Sequence, residues 1–439
     1  MKIRLTFILF VCVLFCAMLS VGASESLRFA VISDTHFENN RGEGAKVKVP
    51  KALKNLLGHK PLVDAIFVVG DLTDRGRLEE YDQLISTFNN KELIPDGVAV
   101  YFMMGFNHDK SPSSNAKEPV KDILGQTATN AQKNFLEKVK KPLQQYIEIK
   151  NYPFILLSEG GSNPSPYNNE VKKFLEQHLV AAAKKYPNKP VFVFTHVPPL
   201  NTCYGSWKHE GWGTDIFTPV LSRYPQAVVF SGHSHFPIGD PRSIYQEKFT
   251  TINDGSTTYG EVERGILNIG IHPENCNKVT EGLIVNMLKN GDVEIERWDT
   301  YRNEEILPRW TINAPHDGSK FHYTKDRNGL PAPEFEKETQ PVISDITSNS
   351  CKVTFQQATD NDVVQRYLVE ILDGEKVIAS FRKFSQFYLN SEMPKNLSVT
   401  FNNLPPQKTL TAKITAIDSY NNKSKPIQSK TFQIKNEEQ

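Results

Sequence analysis

Cysteine is scarce in this chain, with five residues among 439, and two of them, Cys12 and Cys16, sit in an apolar N-terminal stretch. The other three, Cys203, Cys276 and Cys351, are too few and too odd in number for a disulfide framework. At most one bridge can form, and Cys203 with Cys276 is the pair within one putative domain. Zinc-finger spacing is absent too, so the cysteines are expected to do no metal chemistry. An excess of one charge is also missing. The 51 basic side chains nearly cancel the 50 acidic ones, which gives no field to steer nucleic acid or an anionic membrane toward the protein as its main partner. After the N-terminus no run is long and apolar enough to span a bilayer. Internal repeats and low-complexity tracts are lacking, which argues against a solenoid.

What is present begins with an export signal. Lys2 and Arg4 precede an apolar stretch from Leu5 to about Val21, and Val21-Gly22-Ala23 forms a small-residue cleavage site. Cleavage after Ala23 is expected, which removes residues 1–23 and places the mature chain outside the cytoplasm, secreted, periplasmic or at the cell surface. An uncleaved anchor and a lipoprotein are the alternatives; Phe15 before Cys16 argues against the second, since lipidation wants a small residue there.

A chain of 439 residues exceeds what one hydrophobic core usually organises, so two domains are expected. Residues 27–33, 65–69, 98–104, 191–195 and 227–231 are short, nearly continuous apolar runs, as in strands covered on both faces. Stretches of helical character, 132–141 and 171–186, lie between them, which is the alternation of a layered α/β domain over residues 24–312. Residues 313–333 are rich in Pro, Gly, Asn and charge and read as a linker. From 334 to 439 short alternating segments (352–355, 366–372, 397–401 and 411–417) are separated by turn residues, which fits an all-β sandwich.

Five short blocks each follow one of the apolar runs: Asp34-Thr35-His36, Gly70-Asp71-Leu72-Thr73-Asp74-Arg75-Gly76, Gly105-Phe106-Asn107-His108-Asp109, Thr195-His196-Val197-Pro198 and Gly232-His233-Ser234-His235. In open α/β sheets ligands gather beyond the carboxyl ends of strands, and every residue of these blocks falls there. Imidazoles, carboxylates and an amide in one place form a ligand set for two adjacent divalent metals, which can hold a phosphoryl group and acidify water. Two ions about 3.5–4 Å apart need a bridging carboxylate, and Asp71 is the natural one.

The ordered blocks DxH, GDxxDRG, a near-GNHD, THxP and GHxH resemble those of the calcineurin-like metallophosphoesterases, over roughly residues 27–300. The resemblance implies a four-layered αββα sandwich with its site at the strand ends. It implies that Asp34, His36 and His235 hold the first metal, that Asn107, His196 and His233 hold the second, and that Asp71 holds both. His108 would be the non-ligand acid that serves the leaving oxygen, with Asp74 steadying its imidazolium and Arg75 reaching phosphate or making a surface ion pair. Phe106 departs from the pattern, standing where the tight turn normally has glycine; absorption as a bulge is expected, displacement of Asn107 and His108 being the alternative. In the C-terminal part, Tyr367 and the run Ala416-Ile417-Asp418-Ser419-Tyr420-Asn421-Asn422 resemble a fibronectin type III domain.

The expectation is therefore an exported, binuclear metal-dependent hydrolase of phosphoric mono- or diesters. A metal-bridging hydroxide would attack phosphorus and His108 would assist the departing alcohol. His, Asp and Asn ligands suit Mn, Fe or Zn alike. The alternatives are a binding or adhesion protein with a weakened site and a pyrophosphate-bond hydrolase. Trp207, His209 and Trp212 are candidates to line the pocket, whereas His59, His178, His272, His316 and His322 follow no ligand pattern. The C-terminal domain is a candidate for contact with a surface, a glycan or a protein.

Overall fold

The computed structural model describes residues 26–38, 41–105, 108–110, 129–159, 167–266 and 271–436. The expected signal segment, residues 1–23, lies outside them, as do Phe106 and Asn107.

Twelve strands build two six-stranded sheets. The first contains β1 (Arg28–Ile32), β2 (Ala65–Val69) and β3 (Ala99–Met103), paired in parallel. The second is built on β4 (Gln144–Ile149), β5 (Tyr152–Leu157), β6 (Val191–Thr195), β7 (Ala227–Ser231), β8 (Ile244–Gln246) and β9 (Thr250–Asn253), in the order β4-β5-β6-β7-β9-β8. The chain then returns to the first sheet with β10 (Glu281–Met287), β11 (Val293–Asp299) and β12 (Glu304–Ile312), and β10 pairs antiparallel with β1. The order there is β12-β11-β10-β1-β2-β3.

Strand β1 shows why these runs are apolar on both faces. Alternate residues point opposite ways, so Phe29 and Val31 enter the core between the sheets while Ala30 and Ile32 face the helices. Phe29 packs edge-on against Phe67, Phe154 and Phe192, with ring centroids 4.9 to 5.4 Å apart. On the outer face of the first sheet lie α1 (Ala45–Gly58), α2 (Leu78–Phe88) and α3 (Asn130–Val139), which bury Leu53, Leu84 and Phe135 among others. Helix α4 (Asn169–Lys185) covers the second sheet with Leu175 and Leu179. It starts where Asn168 accepts the free N–H groups of Glu170 and Val171. Helix, sheet, sheet and helix are thus stacked in the expected four layers.

The second all-β unit starts at β13 (Val342–Ser344), which pairs with β14 (Cys351–Gln356). Its other sheet pairs β15 (Val364–Asp373) with β16 (Lys376–Phe384), and it closes on a core of Val353, Phe355, Tyr367, Leu410 and Ile414. Tyr367 is completely buried, and its hydroxyl accepts the Ala358 N–H at 2.9 Å. The three cysteines of the described residues are free, so the Cys203–Cys276 bridge is not made. No helix among the described residues is long and apolar enough to cross a membrane.

Residues 313–333 carry no helix or strand but are held down. Tyr323 packs against the inter-sheet core, and Arg327 donates to the carbonyls of Pro241 and Ile244 at 2.7 and 2.6 Å. The two units meet along an apolar seam in which Val262 and Val279 pack against Phe384, Phe387, Tyr388 and Leu389. Polar contacts flank it: Tyr388 Oη donates to Glu274 O at 2.8 Å, Asn390 to Asp299 at 2.8 Å, and Ser419 to the buried Asp240 at 2.8 Å.

Candidate metal centre

The five blocks converge where β1, β2, β3, β6 and β7 end. Convergence requires the chain to turn sharply, and Asp34, His36, Asp71, His233 and His235 all have φ between 40° and 70°. L-residues rarely adopt that left-handed region, and each such residue costs on the order of 1–3 kcal/mol unless its surroundings enforce it. Here they do. The N–H groups of Asp34, His36 and Phe37 donate to the carbonyls of Gly70, Asp71 and Leu72, and Thr258 Oγ1 donates to Asp34 O at 2.9 Å.

Space is equally tight at Gly232, where an added Cβ would overlap Asp34 Oδ2 and lie 2.5 Å from Ser33 Oγ. Gly232→Ala is therefore expected to push Asp34 out of place and to lower metal uptake by on the order of the 10–100-fold seen when support around ligands is lost. Metal titration of the variant beside the wild type checks this.

Three groups of donor atoms result among the described residues, each with all its atoms within 4.8 Å of one another: Asp34, His36, Asp71 and His235; Asp71, His196 and His233; and, on the solvent side, His36, Asp74 and His108. Asp71 belongs to the first two. His235 Nε2 lies 3.0 Å from Asp34 Oδ1, and His196 Nε2 lies 3.2 Å from Asp71 Oδ2. The other ring nitrogens of these imidazoles donate to backbone carbonyls, His196 Nδ1 to Val69 at 2.9 Å and His235 Nδ1 to Tyr259 at 3.2 Å. A carbonyl only accepts, so both tautomers are fixed with Nε2 turned to the centre, as ligand histidines require.

The electrostatics agree. Burial works against the charged Asp34 carboxylate, but His235 and His196 hold its pKa down at about 2. Burial also opposes charge on His196, yet Asp71 and Asp34 lift it well above its ordinary value. Burial, then the neighbouring His196, depresses His233 to about 3, so that ring is neutral. Asp34 thus stays ionised and His233 neutral, the protonation states that metal binding demands, while a cation bound at His196 or His235 would displace the proton that the carboxylates hold there.

The residues fit divalent ions on a further observation. His36 Nδ1 and His233 Nδ1 are buried without a hydrogen-bond partner, Asp71 Oδ2 and His196 Nε2 have only their mutual 3.2 Å approach, and the Nε2 atoms of His36 and His235 face each other at 3.2 Å. Buried donors and acceptors are rarely left so. Cations at the two groups that share Asp71 would answer most of them, one ring nitrogen of each imidazole facing an ion.

His108 stands beside this centre without belonging to either group that contains Asp71. Its ring is perpendicular to that of His36 with centroids 4.5 Å apart, and its N–H donates to Asp71 Oδ1 at 3.2 Å. Its Nδ1 lies 3.1 Å from the Asp74 carbonyl and 3.8 Å from Asp74 Oδ1. Arg75 sits on the solvent side, its side chain 66% exposed and its Nε 3.7 Å from Asp74 Oδ2. That is the surface-pair geometry.

Several residues here carry no motif. Asp109 is fully buried and accepts from Leu72 N, Thr73 N, Thr73 Oγ1 and Gly105 N at 2.7 to 3.0 Å, which ties the second block to the third. Burial and the nearby Asp71 charge raise its pKa to about 7 against the pull of those donors. Tyr259 lies over His235 with ring centroids 4.3 Å apart, and Arg41 lies 4.3 Å above Tyr259. Among the pocket candidates Trp212 stands 5.1 Å from His233, whereas Trp207 and His209 stack on each other and line a cleft of about 730 Å³ facing Tyr420. The histidines without a pattern are not ligands: His59 packs on Trp298 and His178 on Tyr146, His316 binds Gly291 O, and His322 is exposed beside Tyr323. His272 is closer to the centre, 3.3 Å from Glu261 and 2.5 Å from Arg41 Nη1.

This fold and this site define a metallophosphoesterase. Residues 27–237 match the family described as Calcineurin-like phosphoesterase. Among curated proteins the chain is similar to "Probable glycerophosphodiester phosphodiesterase GpdQ" of Arcobacter nitrofigilis, 26% identical over 217 residues that cover 46% of this chain and 70% of that one. It is also similar to a 3′,5′-cyclic-nucleotide phosphodiesterase of Nostoc sp., 27% identical over 238 residues that cover 51% of this chain and 75% of that one. Among solved structures it is similar to the purple acid phosphatase PPD1 of yellow lupin, with TM-score 0.46 and 13% identity. The match covers 66% of this chain and 54% of the lupin one, so the chain spans about half of that enzyme. The C-terminal sandwich is similar in fold to solved fibronectin type III domains.

Proposed function

We propose that the protein is an exported hydrolase of phosphoric esters working with two divalent ions, Mn, Fe or Zn. The sharing of Asp71 between two donor groups, with His108 alongside, carries this reading. When bound, such ions supply Lewis acidity to phosphoryl oxygens and bring the pKa of a water near neutrality.

The chain's own residues do the rest. Asp34, His36 and His235 form one half of the cradle and His196 and His233 the other, with Asp71 between them; Asn107, adjacent to His108 in sequence, is assigned to the second half. The Asp74 carbonyl accepts a hydrogen bond from the Nδ1–H of His108, which leaves the Nε2–H to give its proton to the departing alcohol oxygen. The Asp74 carboxylate, 3.8 Å from the same ring, supports the imidazolium before that transfer. Both named curated relatives are phosphodiesterases, which supports an ester substrate.

The full chain loaded with each metal in turn and offered monoesters, diesters and pyrophosphates is expected to cleave an ester. Two ions per chain by elemental analysis are expected with that activity. Turnover of pyrophosphate alone, or none on any substrate, would refute the assignment.

A further inference from the structure

The centre has two unlike flanks. His108 and Asp74 stand beside His36, in the first donor group. Trp212 stands beside His233, in the second, with the two rings perpendicular and 5.1 Å apart. Trp212 is half-buried while its Nε1 is completely buried without a partner, so the surface it offers is carbon. Above it, at 4.7 Å, lies the guanidinium of the exposed Arg264.

Neither residue is loosely placed. Glu210, two residues before Trp212 and fully buried, accepts the Arg264 N–H at 3.1 Å through Oε2, which joins the two loops. Val262, two residues before Arg264, is anchored in the apolar seam with the C-terminal sandwich. An arginine fixed through its own backbone and laid on an indole keeps its guanidinium donors available at the rim.

Consider what each flank meets when an ester lies over the centre. The departing alcohol leaves on the His108 side. The groups that stay on phosphorus then face His233 and Trp212. In a monoester these are all charged oxygens, and an indole carbon surface is a poor neighbour for them. In a diester one of them is an ester-linked alcohol, whose carbon suits the indole and whose further polar groups reach the guanidinium one ring farther out.

Resting on the phosphoesterase reading above, we infer that Trp212 and Arg264 bind the alcohol retained on phosphorus, and that the substrates are phosphodiesters. In the step itself water's oxygen forms the new bond to phosphorus and the P–O bond to the leaving alcohol breaks. His108 protonates that alcohol and is reprotonated by the proton water gives up. The retained alcohol leaves as a monoester from the Trp212 side.

The test compares kcat/KM of the metal-loaded full chain on bis(p-nitrophenyl) phosphate and on p-nitrophenyl phosphate, for wild type, Trp212→Ala, Arg264→Ala and Arg264→Lys. The wild type is expected to favour the diester, and the diester-to-monoester ratio is expected to fall by about tenfold or more in both alanine variants, the usual scale for a lost pocket contact. Arg264→Lys should recover part of that ratio. Metal content is measured in each variant; if Trp212→Ala loses metal through His233, the Arg264 pair decides. An unchanged ratio, with both esters affected in parallel or neither, overturns the inference and leaves the phosphoesterase reading standing. A wild type that cleaves neither ester overturns both.

Discussion

Asp71→Ala is expected to abolish ester hydrolysis and to empty the centre of metal. Among the described residues no other side chain belongs to both the Asp34 group and the His196 group, so one substitution weakens both at once. It also removes the carboxylate that holds His196 well above its ordinary pKa and the acceptor that fixes the His108 N–H. The loss of metal affinity should exceed the roughly 10–100-fold typical of residues that merely support ligands. Equilibrium dialysis against the chosen ion, with elemental analysis of the dialysed protein, measures it. Asp71→Asn refines the result: it keeps the shape and one acceptor oxygen but not the charge, so it should retain the fold and still fail to hold a pair of ions. A variant at Asp71 with full metal and full turnover would remove the basis for a shared ligand.

The second large effect is expected to have the opposite signature. His108→Ala should keep its metal and lose kcat by about 10²–10⁴, the usual contribution of a positioned general acid. The loss should depend on the substrate. A leaving group that is already acidic, such as p-nitrophenol, needs little help with its proton and should be cleaved by the variant at a rate closer to wild type, whereas an alkyl ester should suffer the whole deficit. Asp74→Asn should fall between, because the Asp74 carbonyl that accepts from Nδ1 stays while the nearby carboxylate charge goes. An equal loss for both leaving groups would mean that His108 acts on the phosphoryl oxygens instead of on the departing one.

These roles were legible to different depths in the amino-acid sequence, and for physical reasons. Strands buried on both faces leave an unmistakable apolar run, and β2, β6 and β7 start and stop where such runs do. The residues after each run therefore stand out as the candidate site in the sequence alone. Asp109 lies in one of these blocks, yet its type and spacing point to no role. Its work is to accept backbone N–H groups from the second block, a contact that no spacing encodes. Tyr259, Arg41 and Arg264 were silent for another reason. They come from irregular loops that approach the centre only after two sheets have packed, so neither periodicity nor proximity along the chain announces them. Residues 313–333 illustrate the reverse case. Their composition is that of a linker, but Tyr323 and Arg327 are tied to the catalytic half, the tyrosine through its ring and the arginine through carbonyl oxygens.

The apolar seam has a consequence for how such a protein is assembled and altered. Sandwich units of about 100 residues have cores of their own, and nature and engineers alike treat units of that kind as interchangeable cassettes. Here one face of the cassette, Phe387 with Tyr388 and Leu389, meets Val262 and Val279 at the two ends of the stretch that follows Tyr259. Splicing a foreign cassette into that position would leave those valines facing water and the Tyr259 and Arg264 walls without backing. A change on the sandwich side of the seam is thus a change in what backs Val262, two residues from Arg264, made at a distance from the metal centre.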